Sequence, residues 1–433
     1  MQAEATSAYT CIAQAVSWTS SSLVDLRFEH SAVRMSEKEL ELINVALGCG
    51  TILGFFLAIF TVDWLGRKLV LIVSGICMVM GWFFIAAAAN VPLLFAGRLS
   101  TGIGCGFCRI AVPLYIVEIT QPDVRRKGLA LVQCYIAAGI AIELIAATVV
   151  DYKTLILVSA VTSVCFTLMV VFLLESPYFF ISTGRKECAI HVLKKLRQKE
   201  DVSEEVDQLE EFLKNTPKIT FYEQAKIMLT NKAHLKATSI STLVLLLMEF
   251  SGPSAILSQA ETVFTKAGMG DSAANASAMV SLDLVLCSPL LILLVRSNSI
   301  KKLLVVSSAS CALVLMVLAI YFILQEAIDF RGIVWFPLLM LLLYYSLASL
   351  GILTFAVVLG SEVIHPDVKT ASFAVASALG NVAQILTLLV IQSWPVTATF
   401  CLFATSATAL TVLTAVFLPD TKDLTLKQIQ ELR

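Results

Sequence analysis

Apolar residues run along this chain in long blocks rather than in the alternation of a half-buried strand or the narrow stripe of a soluble amphipathic helix. Stretches 42–62, 69–97, 154–174, 303–325, 332–361 and 370–419 contain no Asp, Glu, Lys or Arg. A helix crossing lipid needs about 20 mostly apolar residues, so each stretch predicts a span. The last is 50 residues long and breaks at Ser393-Trp394-Pro395, so it predicts two. Stretches 94–120, 128–150, 237–260 and 272–295 carry one or a few charges and predict four more, making eleven. A twelfth stretch, 9–24, is short and rich in Ser and Thr. It reads as a weak first span, since no basic leader or cleavage site marks a removable signal peptide.

The polar intervals orient this array. With both termini in the cytosol, 22 of the 31 Lys and Arg residues fall in inner loops and 6 in outer loops, while Arg98, Arg109 and Lys236 lie within spans. That bias fixes the predicted topology. The expected organisation is a six-helix half over 1–174, a cytosolic linker over 175–235, a second six-helix half over 236–418 and a cytosolic tail over 419–433. In the linker, the spacing of Val206, Leu209 and Leu213 predicts short amphipathic helices, with a solvated charged connector as the plainer alternative.

Composition agrees. Of 433 residues, 58% are hydrophobic and 15% charged, and the mean hydropathy is +0.85; soluble domains run at about 45–50% apolar and about 25% charged. A net charge of −1 removes the electrostatic case for nucleic acid. All of the 11 cysteines but Cys188 lie in apolar stretches, where a thiol behaves as a small hydrophobe. No nucleotide-binding loop or metal-ligand constellation accompanies the spans, so neither an enzyme, a pump, a metal site nor a cofactor is expected.

Each half repeats the other. Glu118 and Arg125 stand at the inner end of the fourth span as Glu362 and Lys369 stand at the inner end of the tenth, 244 residues on. Glu175, closing the sixth span, is echoed by Asp420, and the loop Asp63-Trp64-Leu65-Gly66-Arg67-Lys68 has a degraded echo at 296–302. A duplicated six-helix unit is the architecture of rocking transporters of the major facilitator type. The expected fold is therefore an all-α integral membrane protein of twelve transmembrane helices in two six-helix halves. Charges at inner helix ends suit a reversible latch, and the candidate gate comprises Asp63, Gly66, Arg67, Arg98, Glu118, Arg125, Glu175, Glu362 and Lys369. For any single Lys or Arg, the topology bias alone is an equal explanation.

These strings, with Pro113-Leu114-Tyr115-Ile116-Val117-Glu118, Gln133, Glu175-Ser176-Pro177, Ser251-Gly252 and Pro419-Asp420-Thr421, resemble the sugar porter family of the major facilitators, and more closely its arthropod trehalose and hexose transporter branch. The resemblance implies a midplane sugar site between the halves. Gln133 falls on a sugar-binding glutamine. Glu249 occupies another glutamine position, Ser254 an asparagine, Ser258 a tyrosine, and Gln384 an amide position. The tenth span departs furthest, with Ser349 where a sugar-binding glutamate stands, and Gly380-Asn381 replaces an asparagine-tryptophan pair. The implied function is a secondary carrier at the plasma membrane moving a small polar solute, a hexose or trehalose. Thr19 replaces the aspartate that proton-driven members place near Arg98, so passive transport is expected. The alternative is a transport-dead nutrient sensor or membrane scaffold. Arg109, Glu143, Glu249 and Asp283 lie deep in apolar runs; either Arg109 pairs with Glu143 or the carboxyl group stays protonated, and a role for Glu249 in substrate selection is the further expectation there.

Overall fold

The structure, a computed structural model, describes residues 2–27, 35–120, 122–199, 201–215, 221–297, 299–328, 333–353, 364 and 368–418. Among the described residues twelve principal helices follow one another: Ala8–Arg27, Glu37–Leu65, Arg67–Ala86, Val91–Ile119, Pro122–Ala146 and Tyr152–Val171, then Lys232–Phe250, Ala273–Ser297, Ile300–Ile328, Phe336–Ser349, Lys369–Ser393 and Val396–Phe417. They are called the first to twelfth helices below. Nine segments among the described residues are long and apolar enough to cross a membrane, and 131–146 and Phe336–Ser349 are shorter apolar helices. The doubtful first span is a 20-residue helix. The polar face of such a helix is tolerable because Thr10, Ser17 and Thr19 are buried in the protein and hydrogen-bonded there.

Between the halves, Pro177–Ser182, Lys186–Arg197, Ser203–Asn215 and Phe221–Thr230 form the expected short helices. Leu193, Val202 and Val206 make a small core of their own. Arg197 ties this linker to the first half: its guanidinium holds Glu205 at 2.7 Å and donates to the Ile119 carbonyl at the end of the fourth helix, 2.9 Å away.

Two hydrophobic cores divide the molecule. One gathers the first, second, third, fourth and sixth helices, joined by Ala374; the other gathers the last six, joined by Ala13 of the first helix and by Ala137, Ile140 and Leu144, the buried apolar face of the fifth. Phe60, Phe83, Phe172 and Leu286 are exposed, as lipid-facing side chains should be. Packing inside the first half depends on missing side chains. A Cβ on Gly54 would stand 2.1 Å from the Ile103 carbonyl oxygen, and one on Gly106 would stand 2.3 Å from that of Thr51. The second and fourth helices therefore touch backbone to backbone, the use membrane proteins make of small residues.

Candidate functional site

Polar side chains concentrate at the linker end of the first half and along the seam between halves. At the linker end, the third helix starts immediately after Gly66, whose φ of +88° suits glycine. The N–H groups of Arg67 and Lys68, which lack partners within the helix, donate to Glu175 at 3.0 and 3.1 Å, so a carboxylate sits at a helix N-terminus, where the dipole favours it. A Cβ on Gly66 would lie 2.5 Å from Glu175 Oε2, a second reason for glycine there. The Arg67 guanidinium, 4% exposed, donates through Nε and Nη2 to Glu118 Oε1 at 3.0 and 2.7 Å and reaches Asp63 at 3.2 Å. Tyr178 and Phe179 cover it with their rings, and burial followed by the nearby Glu118 carboxylate raises the Tyr178 phenol above its ordinary pKa. Asp63, Gly66, Arg67, Glu118 and Glu175 thus come together as expected.

Arg98 does not join them. Twenty residues of continuous helix separate it from Glu118, about 30 Å of rise. It is instead buried completely at the other end, donating to the Ala15 carbonyl at 2.8 Å and to Thr19 Oγ1 at 3.0 Å beneath the Trp18 ring. Glu362, and the side chains of Arg125 and Lys369, fall outside the described residues, so the second-half counterpart of the latch does too.

The seam is built on a broken helix. The seventh helix stops at Phe250, turns at Gly252 with φ +88° and resumes as Pro253–Ser258 and Ala260–Lys266. Freed carbonyls in an apolar interior need donors. Tyr344 donates to the Ser251 carbonyl at 3.0 Å and Tyr345 to that of Pro253 at 2.8 Å, both from the tenth helix. Spanning the break, Ser254 Oγ donates to Glu249 Oε2 at 3.0 Å, and Glu249 is 7% exposed. Discontinuous helices of this kind mark midplane binding sites in transporters.

Ser258 and Gln384 line one cleft with Arg109, Thr51 and apolar side chains of the first, second and eleventh helices. Its volume is about 20 Å³, measured as space for the centres of water molecules. That holds a water but not a monosaccharide, so the halves are closed on one another here. Gly48 against Ile385 makes part of that closure. Gln133 is buried in the fifth helix and does not line this cleft.

The deep charges are arranged differently from expectation. Arg109 donates through Nη1 to Asn381 Oδ1 at 3.0 Å, across the seam, rather than to Glu143. Glu143 accepts from Ser159 at 2.6 Å on the sixth helix and lies within electrostatic reach of Arg98. Asp283 accepts from Ser346 at 2.8 Å on the tenth helix. The rotation of each helix about its own axis decides these pairings. Sequence reasoning gave Tyr344, Tyr345 and Ser346 no role; the signal for them was a Ser-Gly-Pro break in one span and polar groups in an otherwise apolar one.

Residues 7–432 match the family model described as "Sugar (and other) transporter". A facilitated trehalose transporter, Tret1, of Apis mellifera ligustica is 25% identical over 421 residues, spanning 96% of this chain and 84% of that protein. The sugar transporter ERD6-like 7 of Arabidopsis thaliana is 26% identical over 410 residues, 90% of this chain and 85% of that one. Among solved structures, the major facilitator proton:xylose symporter XylE bound to 6-bromo-6-deoxy-D-glucose superposes with a TM-score of 0.81 at 18% identity, covering 100% of this chain and 98% of that one. Inward-open XylE from E. coli gives 0.80 at 17% identity, with the same coverage. With twelve helices in two halves, a broken seventh helix and a family match over nearly its whole length, the chain belongs to the sugar transporter family and has the major facilitator fold.

Proposed function

We propose that this protein is a secondary carrier that moves a small polar solute of the sugar class, a hexose or trehalose, passively across the plasma membrane by alternating access, without covalent chemistry and with both termini cytosolic. The observation that carries this reading is the seam itself. Two hydrophobic cores meet near a broken helix, and Ser258 and Gln384 border the space between the halves. Hydroxyl and amide groups satisfy a sugar's hydroxyls at low desolvation cost. The ion pair of Arg67 and Glu118 at the linker end is suited to hold one end of the bundle in some states and release it in others. Transport by Tret1 of trehalose, as its name states, points the same way for the solute.

Support for passive transport comes from Thr19. Arg98 meets a hydroxyl on the first helix, which does not titrate, and Glu143, a carboxyl within its electrostatic reach, is fully buried and already bonded to Ser159. In cells lacking their own hexose carriers, uptake of glucose or trehalose is expected to be saturable and unaffected by a protonophore. Uptake that collapses with the protonophore, while passive sugar entry through a control carrier persists, overturns the passive reading; no uptake of either sugar removes glucose and trehalose as solutes.

Glu249 adds a specificity prediction. Glu249→Gln keeps nearly the same volume and an acceptor for Ser254, so folding and surface delivery should be retained while the range of solutes carried changes. An identical substrate profile for mutant and parent across neutral sugars, polyols and cationic solutes would remove Glu249 from the site.

A further inference from the structure

Three arginines of the first half lie in or beside its helices, and the printed contacts of two of them stay within their own half. Arg67 has Glu118 and Asp63, and Arg98 has the Ala15 carbonyl, Thr19 and the Trp18 ring. Arg109 is different. It sits on the fourth helix about midway between Arg98 and Glu118, so it lies near the middle of the span. Among the described residues no carboxylate comes within 4.0 Å of it, and its one hydrogen bond, to Asn381, goes to a neutral amide of the opposite half. A guanidinium carries five N–H donors in a planar fork, and this one borders the cleft with Ser258 and Gln384. Glu249 is near enough to feel its charge, but its Oε2 accepts from Ser254 and no ion pair forms.

Arg109 is partly exposed, so the donors that Asn381 leaves unused open to the cleft, where a carboxylate could take them. We propose that the cleft takes a polyhydroxylated solute bearing one carboxylate, a sugar acid, with the carboxylate on the Arg109 fork and hydroxyl groups on Ser258, Gln384 and Glu249. The planar guanidinium matches a carboxylate through two parallel hydrogen bonds. The Glu249 carboxylate is a strong acceptor for hydroxyls, and its charge disfavours a second negative group on the solute. Bonding between Arg109 and Asn381 then belongs to the closed cleft without solute, and the solute takes over donors that the bridge leaves unused. This inference rests on the carrier reading and narrows its substrate class.

Three ring-matched probes separate the alternatives: glucose, neutral; glucuronate, anionic; and glucosamine, cationic. Binding to the purified full-length protein in lipid nanodiscs is measured by calorimetry at pH 7. Glucuronate is expected to bind at least tenfold more tightly than glucose, and glucosamine more weakly than glucose. Arg109→Gln should bring glucuronate to within about twofold of glucose while glucose binding persists. Asn381→Ala, which leaves the cation in place, should keep the preference for glucuronate and provides the test if Arg109→Gln does not fold. Glucose or glucosamine binding as tightly as glucuronate overturns the inference and leaves the carrier reading standing, as does an unchanged preference in Arg109→Gln. Binding of none of the three, with no sugar exchange in proteoliposomes, overturns both.

Discussion

Arg67→Ala is expected to lower the stability of the purified protein by about 3–5 kcal/mol, because it leaves Glu118, 9% exposed, without the guanidinium that compensates its charge. Two hydrogen bonds to Glu118 and the contact with Asp63 disappear together, and the rings of Tyr178 and Phe179 lose the cation they cover. Arg67→Lys should recover only part of the loss, since an ammonium cannot reproduce the two-pronged geometry. The informative control is the double variant Arg67→Met with Glu118→Leu. Removing both partners of a buried pair is commonly near neutral, so most of the stability should return. Thermal unfolding in detergent measures all three. A double variant as unstable as Arg67→Ala would mean that the pair is not what stabilises this end of the bundle.

Gly106→Val is expected to abolish recovery of monodisperse protein. The added Cβ would meet the Thr51 carbonyl oxygen at 2.3 Å and the Phe55 amide nitrogen at 2.5 Å, both backbone atoms, so no rotamer change relieves the clash. The second and fourth helices would have to separate along their whole contact. Overpacking of this kind costs about 3 kcal/mol or more, since rigid backbone and not a flexible side chain must yield. Gly380→Ala is the matched control: its nearest neighbour, Leu245 Cβ, would lie at 3.6 Å, ordinary contact. Size-exclusion chromatography of the two variants at equal expression decides the matter. A Gly106→Val protein that elutes like the parent would contradict the backbone contact.

Much of this was legible in the chain because lipid imposes a length on each apolar run. The six-plus-six order, the linker helices and the latch residues Arg67, Glu118 and Glu175 followed from run lengths, charge bias and the repeat of a Glu seven residues before a base. The seam was less legible, for a physical reason. In a soluble helix the buried face is apolar and the other polar, but here both lipid-facing and core-facing positions are apolar, so hydropathy does not report helix rotation. Arg109 could therefore be matched with Glu143 on sequence grounds, whereas the helices turn it to Asn381. The charge of Arg98 alone suggests a place in the latch, but the rise of the fourth helix puts it at the opposite end. The caps on the broken seventh helix, Tyr344 and Tyr345, come from more than 90 residues downstream, a pairing no local pattern encodes.

The claim at the centre of this account is that the halves rock about a solute held at the seam. Counterflow in proteoliposomes made from the purified protein tests it most directly: vesicles loaded with an excess of unlabelled glucose, trehalose or glucuronate are diluted into a trace of the same solute carrying a radiolabel. The account predicts, for at least one of the three, a transient accumulation of label above its equilibrium level that disappears when the inside is empty. Labelled solute that equilibrates no faster than in protein-free vesicles, for all three and with either loading, contradicts it.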